Sequence, residues 1–275
     1  MTRIALFQSN TGIDPEANAR ALVDATGEAA RGGAAMLFTP EMSGLLDRDS
    51  KRASANLRSE DQDAVLAACR DAARDHDIWV HLGSLAIRVE DGKVANRGFV
   101  IDRGGFVQAR YDKIHLFDVD LPTGESWRES AVYRAGEHPV VVNGTPVGKL
   151  GLTICYDLRF PLLFARIAEG DADVITVPAA FTVPTGMAHW HTLLRARAIE
   201  AGLFVVAAAQ VGHHEDGRNT FGHSLVIDPW GEVLLDMGEE KGVGFADIDL
   251  ARISEVRSRI PALNHRRPIP DVVSE

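Results

Sequence analysis

The chain reads as an α/β protein of two similarly organised halves, with two sheets packed face to face and helices outside. Three observations predict this. Short apolar segments of strand length alternate with amphipathic helical stretches from end to end. The alternation starts afresh in the second half with the same kinds of segment. No linker or low-complexity stretch divides the 275 residues, so a single domain, 1–275, holds both halves.

Each element has a local reason. Residues 4–7 are a short apolar strand. Asp14 then caps a helix with Pro15 at its first position and Ala17, Ala21, Leu22, Ala25 and Ala29 on one face. Residues 35–38 form a second buried strand. Ser59, Glu60, Asp61 and Gln62 make a capping-box pattern that opens a helix to about Asp75. Residues 78–82 are a third strand, and 85–112 a meander turning at Asp91-Gly92 and Gly104-Gly105. The second half places strands at 147–154, 174–177 and 203–209, with helices at 160–169 and 188–201. A last meander covers 223–228, 233–235 and 242–248, turning at Pro229-Trp230-Gly231. Residues 250–259 form a short helix. The tail, 261–275, is too polar for a core of its own and is expected to dock on the body or on a partner subunit.

Composition excludes several function classes. A net charge of −10 disfavours nucleic acid, because phosphate binding needs a basic face. The apolar start, 4–7, is too short for a signal peptide, and no apolar run reaches membrane-span length. Two cysteines make no disulfide framework, which predicts a reducing, cytoplasmic setting with free thiols. Cys69 reads as a small core hydrophobe on a helix face. His189 and His191 stand two apart on a predicted helix and share no face, and no ligand-spaced cluster accompanies them, so no metal site is expected. GxSxG, GxGxxG and phosphate-loop spacings are absent.

Three groups carry chemistry. Glu41 follows one buried strand, Lys113 follows the strand at 106–110, and Cys155 ends the run 148–154 just before a helical stretch. Active sites of α/β sheets gather at the carboxyl ends of strands, and helix N-terminal amides favour a thiolate. A desolvated glutamate can serve as base for a thiol. An ammonium and the N–H of Tyr156 can hold the oxyanion formed on attack at an amide carbonyl. A competing enzyme reading takes one of the histidines as base. A silent binding protein is a third reading, against which the retention of Cys155, Lys113, Glu41 and Glu129 together argues.

Pro40-Glu41, KIHLFD at 113–118 and CYDLRFP at 155–161 resemble the three catalytic motifs of the nitrilase superfamily, the carbon-nitrogen hydrolases. AHW at 188–190, RARAIE at 195–200, GHS at 222–224, DPWG at 228–231 and the terminal Ile260-Pro261 to Arg266-Arg267-Pro268 match in order, so the resemblance spans essentially the whole chain. It implies a four-layer αββα sandwich that dimerises, and no metal or organic cofactor. It implies Glu41 as general base and acid, Lys113 as oxyanion stabiliser, Cys155 as nucleophile and Glu129 as a second, assisting glutamate. CYDLRFP and RARAIE look most like the branch acting on deaminated glutathione and on omega-amides of 2-oxo acids. Tyr156-Asp157 stands where true nitrilases usually carry Trp-Glu, which favours an amide over a nitrile. Within the family, N-carbamoyl-amino-acid and aliphatic amide hydrolysis are the alternatives. Arg159, four residues past the nucleophile, is either a partner for a substrate carboxylate or one half of a structural ion pair. Phe117, Phe181 and Thr182 are candidate pocket residues, with residues 184–186 as a loop closing over them. The apolar 203–211 region and the tail are the expected dimer surface.

Overall fold

Successive strand residues point to opposite faces of a sheet, and this alternation sorts the core into layers. The computed structural model describes residues 1–120 and 126–273. The first half runs β1 (Thr2–Gln8), α1 (Pro15–Arg31), β2 (Met36–Phe38), α2 (Ser50–Asn56), α3 (Ala64–Asp75), β3 (Trp79–Arg88), β4 (Val94–Ile101) and β5 (Val107–Asp112). An antiparallel pair, β6 (Asp118–Asp120) and β7 (Ser126–Arg128), follows. The second half runs β8 (Val140–Thr145), β9 (Gly148–Leu152), α4 (Pro161–Glu169), β10 (Val174–Thr176), α5 (Val183–Ala201) and β11 (Phe204–Ala207). A hairpin of β12 (Val211–His213) and β13 (Asn219–Phe221) precedes β14 (Leu225–Ile227), β15 (Val233–Asp236), β16 (Gly242–Ile248) and α6 (Ala251–Arg259).

Along β1, Ile4 and Leu6 join one core while Ala5 joins another; along β2, Met36 and Phe38 part from Leu37 in the same way. The Ile4 side faces the second sheet, whose far side is covered by Leu163, Phe164, Trp190 and Leu194 of α4 and α5. The Ala5 side is covered by Leu22 of α1 and by Val65, Leu66 and Cys69 of α3. The layers are therefore α, β, β, α, the nitrilase-type sandwich. The first sheet has the order β16-β1-β2-β3-β4-β5 and the second β15-β14-β11-β10-β9-β8. Each has a parallel trio, β1-β2-β3 or β9-β10-β11, flanked by antiparallel strands. The two halves thus repeat one plan.

Several expectations need correction. The last meander breaks: β16 leaves β15 and pairs with β1 in the other sheet, Thr2 opposite Ile248. Its alternation was legible, but its partner lies at the far end of the chain. The Ser59 pattern makes no side-chain cap; a 3-10 turn covers Glu60–Gln62, and the Asp63 carboxylate accepts from the Leu66 N–H to start α3. In α1 the buried face holds Asn18, Leu22, Ala25, Thr26 and Ala29, not Ala17 and Ala21. Asn18 turns inward because its amide bonds the loop backbone at Gly12 and Gly44. The 203–211 region is buried within the molecule and offers no surface to a partner, since β11 is a central strand covered on both faces. In the described part of the tail, Leu263 packs on the main core and Arg266 donates to the Ala165 carbonyl at 3.1 Å. Residues 274–275 lie outside the described residues.

One glycine serves the site directly. A Cβ on Gly83 of β3 would stand 2.1 Å from the Thr39 carbonyl oxygen and 2.4 Å from that of Pro40. Both are backbone atoms of the segment that carries Glu41. Gly83→Ala is therefore expected to cost about 1–3 kcal/mol in urea unfolding and to lower turnover by shifting Glu41. Unchanged stability and unchanged kcat would show that this close approach constrains nothing.

Candidate active site

Cys155 opens a 3-10 turn, Cys155–Arg159, separated from β9 by Thr153 and Ile154. Its φ is 48°, in the left-handed region, which costs a residue bearing a Cβ about 1–2 kcal/mol. Two sets of bonds hold it there. The Cys155 N–H donates to the Pro178 carbonyl at 2.9 Å. The fully buried Asp157 carboxylate accepts from the Tyr111 hydroxyl at 2.7 Å, the Ile154 N–H at 2.9 Å and the His115 N–H at 3.0 Å. The His115 ring Nδ1 lies 2.7 Å from the same carboxylate. Asp157 thus ties the Cys155 turn to β5 and to the segment that carries Lys113.

Glu41 and Lys113 meet Cys155 on the floor of a cavity. The Lys113 Nζ, 1 % exposed, donates to Glu41 Oε1 at 3.0 Å and to the two oxygens of Glu129 at 3.1 and 2.9 Å. The Asn96 amide donates to Glu41 Oε1 at 2.9 Å, and the Ala180 N–H to Glu41 Oε2 at 2.9 Å. Gln210 donates to the Glu41 carbonyl at 3.0 Å. Glu129 is set by the Phe117 N–H, which donates to it at 2.8 Å. The Cys155 thiol lies near enough to Glu41 and Lys113 for both charges to act on it.

These contacts fix the charge states. Burial alone would raise the Glu41 carboxyl, but the Lys113 ammonium, the nearby Cys155 thiol and the hydrogen bonds from Lys113 and Asn96 hold it below its ordinary 4.5. Burial works against the Lys113 charge, yet Glu129 and Glu41 push its affinity for the proton well above the ordinary lysine range. Burial, and then the Glu41 charge, push the Cys155 thiol well above its ordinary 9.0, against the pull of Lys113. At neutral pH the resting set is a thiol, a carboxylate and an ammonium. Cys69, buried in α3 with no such partners, has its thiol pushed up to about 12, chiefly by burial.

The cavity above this floor holds about 750 Å³. Glu41, Lys113, Glu129, Cys155, Tyr156, Arg159, Phe117, Phe181 and Thr182 all line it. The Tyr156 N–H is one of the first N–H groups of the 3-10 turn, which lack intrahelical acceptors. Arg159 makes no ion pair among the described residues. Its guanidinium lies 3.3 Å from His189 Nδ1 and 5.4 Å from the Phe181 ring centroid. Residues 184–186 are not a loop but the first turn of α5, which begins at Val183 with Pro184 in its first turn. No histidine lines the cavity among the described residues; His115 is engaged by Asp157. This removes the reading in which a histidine is the base.

Sequence reading missed Asn96, the role of Asp157 and the Ala180 N–H. A polar Asn96 inside the strand run of β4 was the one available signal; the others depend on contacts between the sheets. It also missed that His191 and His223 come together. Asp236 bridges them, 3.0 Å from His191 Nε2 and 2.9 Å from His223 Nδ1.

The carbon-nitrogen hydrolase family model matches residues 3–258 of the chain. The chain belongs to the carbon-nitrogen hydrolase family. It is 38 % identical over 276 residues to the deaminated glutathione amidase of Dictyostelium discoideum, covering 97 % of this chain and 94 % of that protein. It superposes on the Caenorhabditis elegans NitFhit protein with a TM-score of 0.89 at 38 % identity, covering 97 % of this chain and 65 % of that one. An amidase from Nesterenkonia sp. AN1, carrying acrylamide added to its active-site cysteine, gives a TM-score of 0.79 at 29 % identity over 95 % of this chain and 98 % of that one. This carbon-nitrogen hydrolase is an amidase of the nitrilase superfamily. None of its described helices is long and apolar enough to cross a membrane.

Lys113→Ala separates the charge balance from mere packing. Without the ammonium, Glu41 is buried unpaired and its carboxyl rises above its unfolded value. The loss at pH 7 is expected to be about 3–5 kcal/mol and to shrink as pH falls from that raised value toward the ordinary 4.5. In wild type the lowered Glu41 acts oppositely: its stabilisation is present above 4.5 and fades as pH falls through its depressed value. Urea unfolding of both proteins between pH 7 and pH 4 checks this. A mutant-minus-wild-type difference that does not change with pH would refute it.

Proposed function

We propose that this amidase hydrolyses small carboxylated amides of the deaminated-glutathione or omega-amide type through a thioester on Cys155. The observation that carries the reading is the buried set in which Glu41 bonds Lys113 and stands beside Cys155 at the floor of the cavity. Glu41 takes the thiol proton as sulfur attacks the amide carbonyl. The carbonyl π pair becomes an oxyanion held by the Lys113 ammonium and the Tyr156 N–H. When the oxyanion collapses, the C–N bond breaks and Glu41 gives its proton to the departing nitrogen. A water then enters; Glu41 takes its proton while hydroxide attacks the thioester, and as the C–S bond breaks Glu41 gives that proton to the sulfur, restoring the thiol and the carboxylate. Glu129 holds the Lys113 ammonium and assists. No step in this sequence calls for a metal or an organic cofactor.

The substrate class rests on chemistry and on likeness. Arg159 has no carboxylate partner in the protein among the described residues, so its planar fork is available to a substrate carboxylate. Phe117, Phe181 and Thr182 bound the acyl chain. The Dictyostelium relative's name supplies deaminated glutathione as the leading candidate, and the modified active-site cysteine of the Nesterenkonia amidase supports the nucleophile. A reducing, cytoplasmic setting suits a thiol nucleophile. We also infer a homodimer. Ile199, Trp230 and Ile260 are exposed and line one shallow groove of about 170 Å³, an apolar surface suited to a second copy.

The test is product release from deaminated glutathione, 2-oxoglutaramate, an N-carbamoyl amino acid, a neutral aliphatic amide and a nitrile. Wild type is expected to favour an acidic amide. Cys155→Ala and Glu41→Gln are each expected to lose at least 1,000-fold in kcat, in keeping with the loss of a nucleophile or its base. Arg159→Ala should raise KM for the acidic amides far more than for the neutral one. Full turnover in Glu41→Gln would sink the mechanism, and equal KM effects on both substrates would sink the role of Arg159.

A further inference from the structure

A second group of polar side chains converges outside the active-site cavity. His191 of α5, His223 between β13 and β14, and Asp236 at the end of β15 come together from three separate segments. None of the three lines the cavity, and the amidase mechanism uses none of them. One possible ligand atom from each lies within 4.8 Å of the other two. The spacing about Asp236 is tighter. Its Oδ2 stands 3.0 Å from His191 Nε2 and 3.2 Å from His223 Nδ1. Ligand atoms held about 2.0–2.2 Å from a tetrahedral ion stand roughly 3.3 Å from one another. Two of the three ligand-to-ligand edges therefore already suit a small divalent ion.

The surrounding backbone holds the three groups in place. His223 has a φ of 53°, in the left-handed region, which disfavours any residue with a Cβ. Its N–H donates to the Gly238 carbonyl at 2.7 Å, and its carbonyl accepts from Trp190 Nε1 at 2.8 Å. The Gly238 N–H donates to Asp236 Oδ1 at 2.9 Å and so orients the carboxylate. The Phe221 ring stacks on His223 with centroids 4.5 Å apart and meets His191 edge-on. Supports of this kind orient metal ligands before the ion arrives.

The ligand chemistry selects the ion. Two imidazoles and a carboxylate suit zinc and its late first-row neighbours, whereas magnesium and calcium prefer oxygen alone. Each imidazole presents a bare nitrogen to an ion when its proton sits on the other ring nitrogen. The three side chains are between 23 % and 39 % exposed, so an ion can enter from solvent and keep a water. The net charge of −10 favours a cation.

We propose that His191, His223 and Asp236 bind a divalent ion of the zinc type, with water in the remaining position. The ion ties α5 to the segment before β14 and to the end of β15. Trp190, the neighbour of His191, packs on Phe181 with ring centroids 4.8 Å apart, and Phe181 lines the cavity. The site is a staple behind that wall and takes no part in the chemistry at Cys155. It stands independently of the amidase reading.

The experiment titrates untagged, chelator-treated full-length protein with ZnCl₂ and with MgCl₂ by calorimetry and follows Tm in parallel. Every protein carries Cys155→Ala, so the active-site thiol takes no metal. One Zn²⁺ per chain is expected to bind and to raise Tm, with no response to Mg²⁺. His191→Ala, His223→Asn and Asp236→Asn should each weaken binding at least tenfold, since changes to the supports alone cost about 10–100-fold, and should remove the rise in Tm. His189→Ala, two residues away and outside the cluster, should keep both. His191 is partly exposed, so its variant reads the site even where a change at His223 disturbs folding. No saturable Zn²⁺ binding in the parent, or undiminished binding in His191→Ala and in a folded Asp236→Asn, overturns the site. A response to Mg²⁺ equal to that to Zn²⁺ overturns the ion class.

Discussion

A lysine ammonium buried to 1 % exposure is the constraint around which this protein is arranged. Taking such a charge out of water costs several kcal/mol after all relaxation, and it persists only where opposite charge and hydrogen bonds surround it. Lys113 has Glu41 on one side and Glu129 on the other. Those three residues come from the end of β2, the end of β5 and the turn after β7, so satisfying one charge fixes three separate segments against each other. Asp157 does the same for Cys155. It gathers Tyr111, His115 and the Ile154 amide into one buried set and so locks the Cys155 turn to the same strand end.

The charge balance sets the two thiols apart. Both cysteines are buried, and burial raises both. Cys69 lies in the apolar core, where burial and then the Asp63 carboxylate raise it. Cys155 stands beside a carboxylate kept ionised by Lys113. In the proposed mechanism that carboxylate receives the thiol proton, and the same ammonium stands where negative charge develops on a bound carbonyl.

The wall of the cavity is made by elements that contribute little to either core. Helix α2 buries none of its residues, and its start is held by the Asp49 carboxylate, which accepts from the Lys51 and Arg52 N–H groups at 3.0 Å each. Ser50, Ala53 and Ser54 of this helix line the cavity. The β12–β13 hairpin brings Arg218 and Thr220 to the other side, with Thr220 bridged to Thr182.

The sequence by itself determined the alternation of strands and helices, the two-half plan and the three strand-end residues Glu41, Lys113 and Cys155. Strand length, alternation and caps are local properties, and a motif that follows a strand must lie at its end. Helix α2 escaped because a solvent-facing helix carries no apolar period. The start of α3 shifted because Asp63 out-competed Ser59 for the cap. Strand β16 read correctly as a strand and wrongly as the end of a meander, because pairing with β1 is a contact across the whole chain. The tertiary structure alone decided which charges share the floor and that Asn96 and Asp157 orient it. Those are distances between side chains far apart in sequence, and only the packing of one sheet on the other sets them.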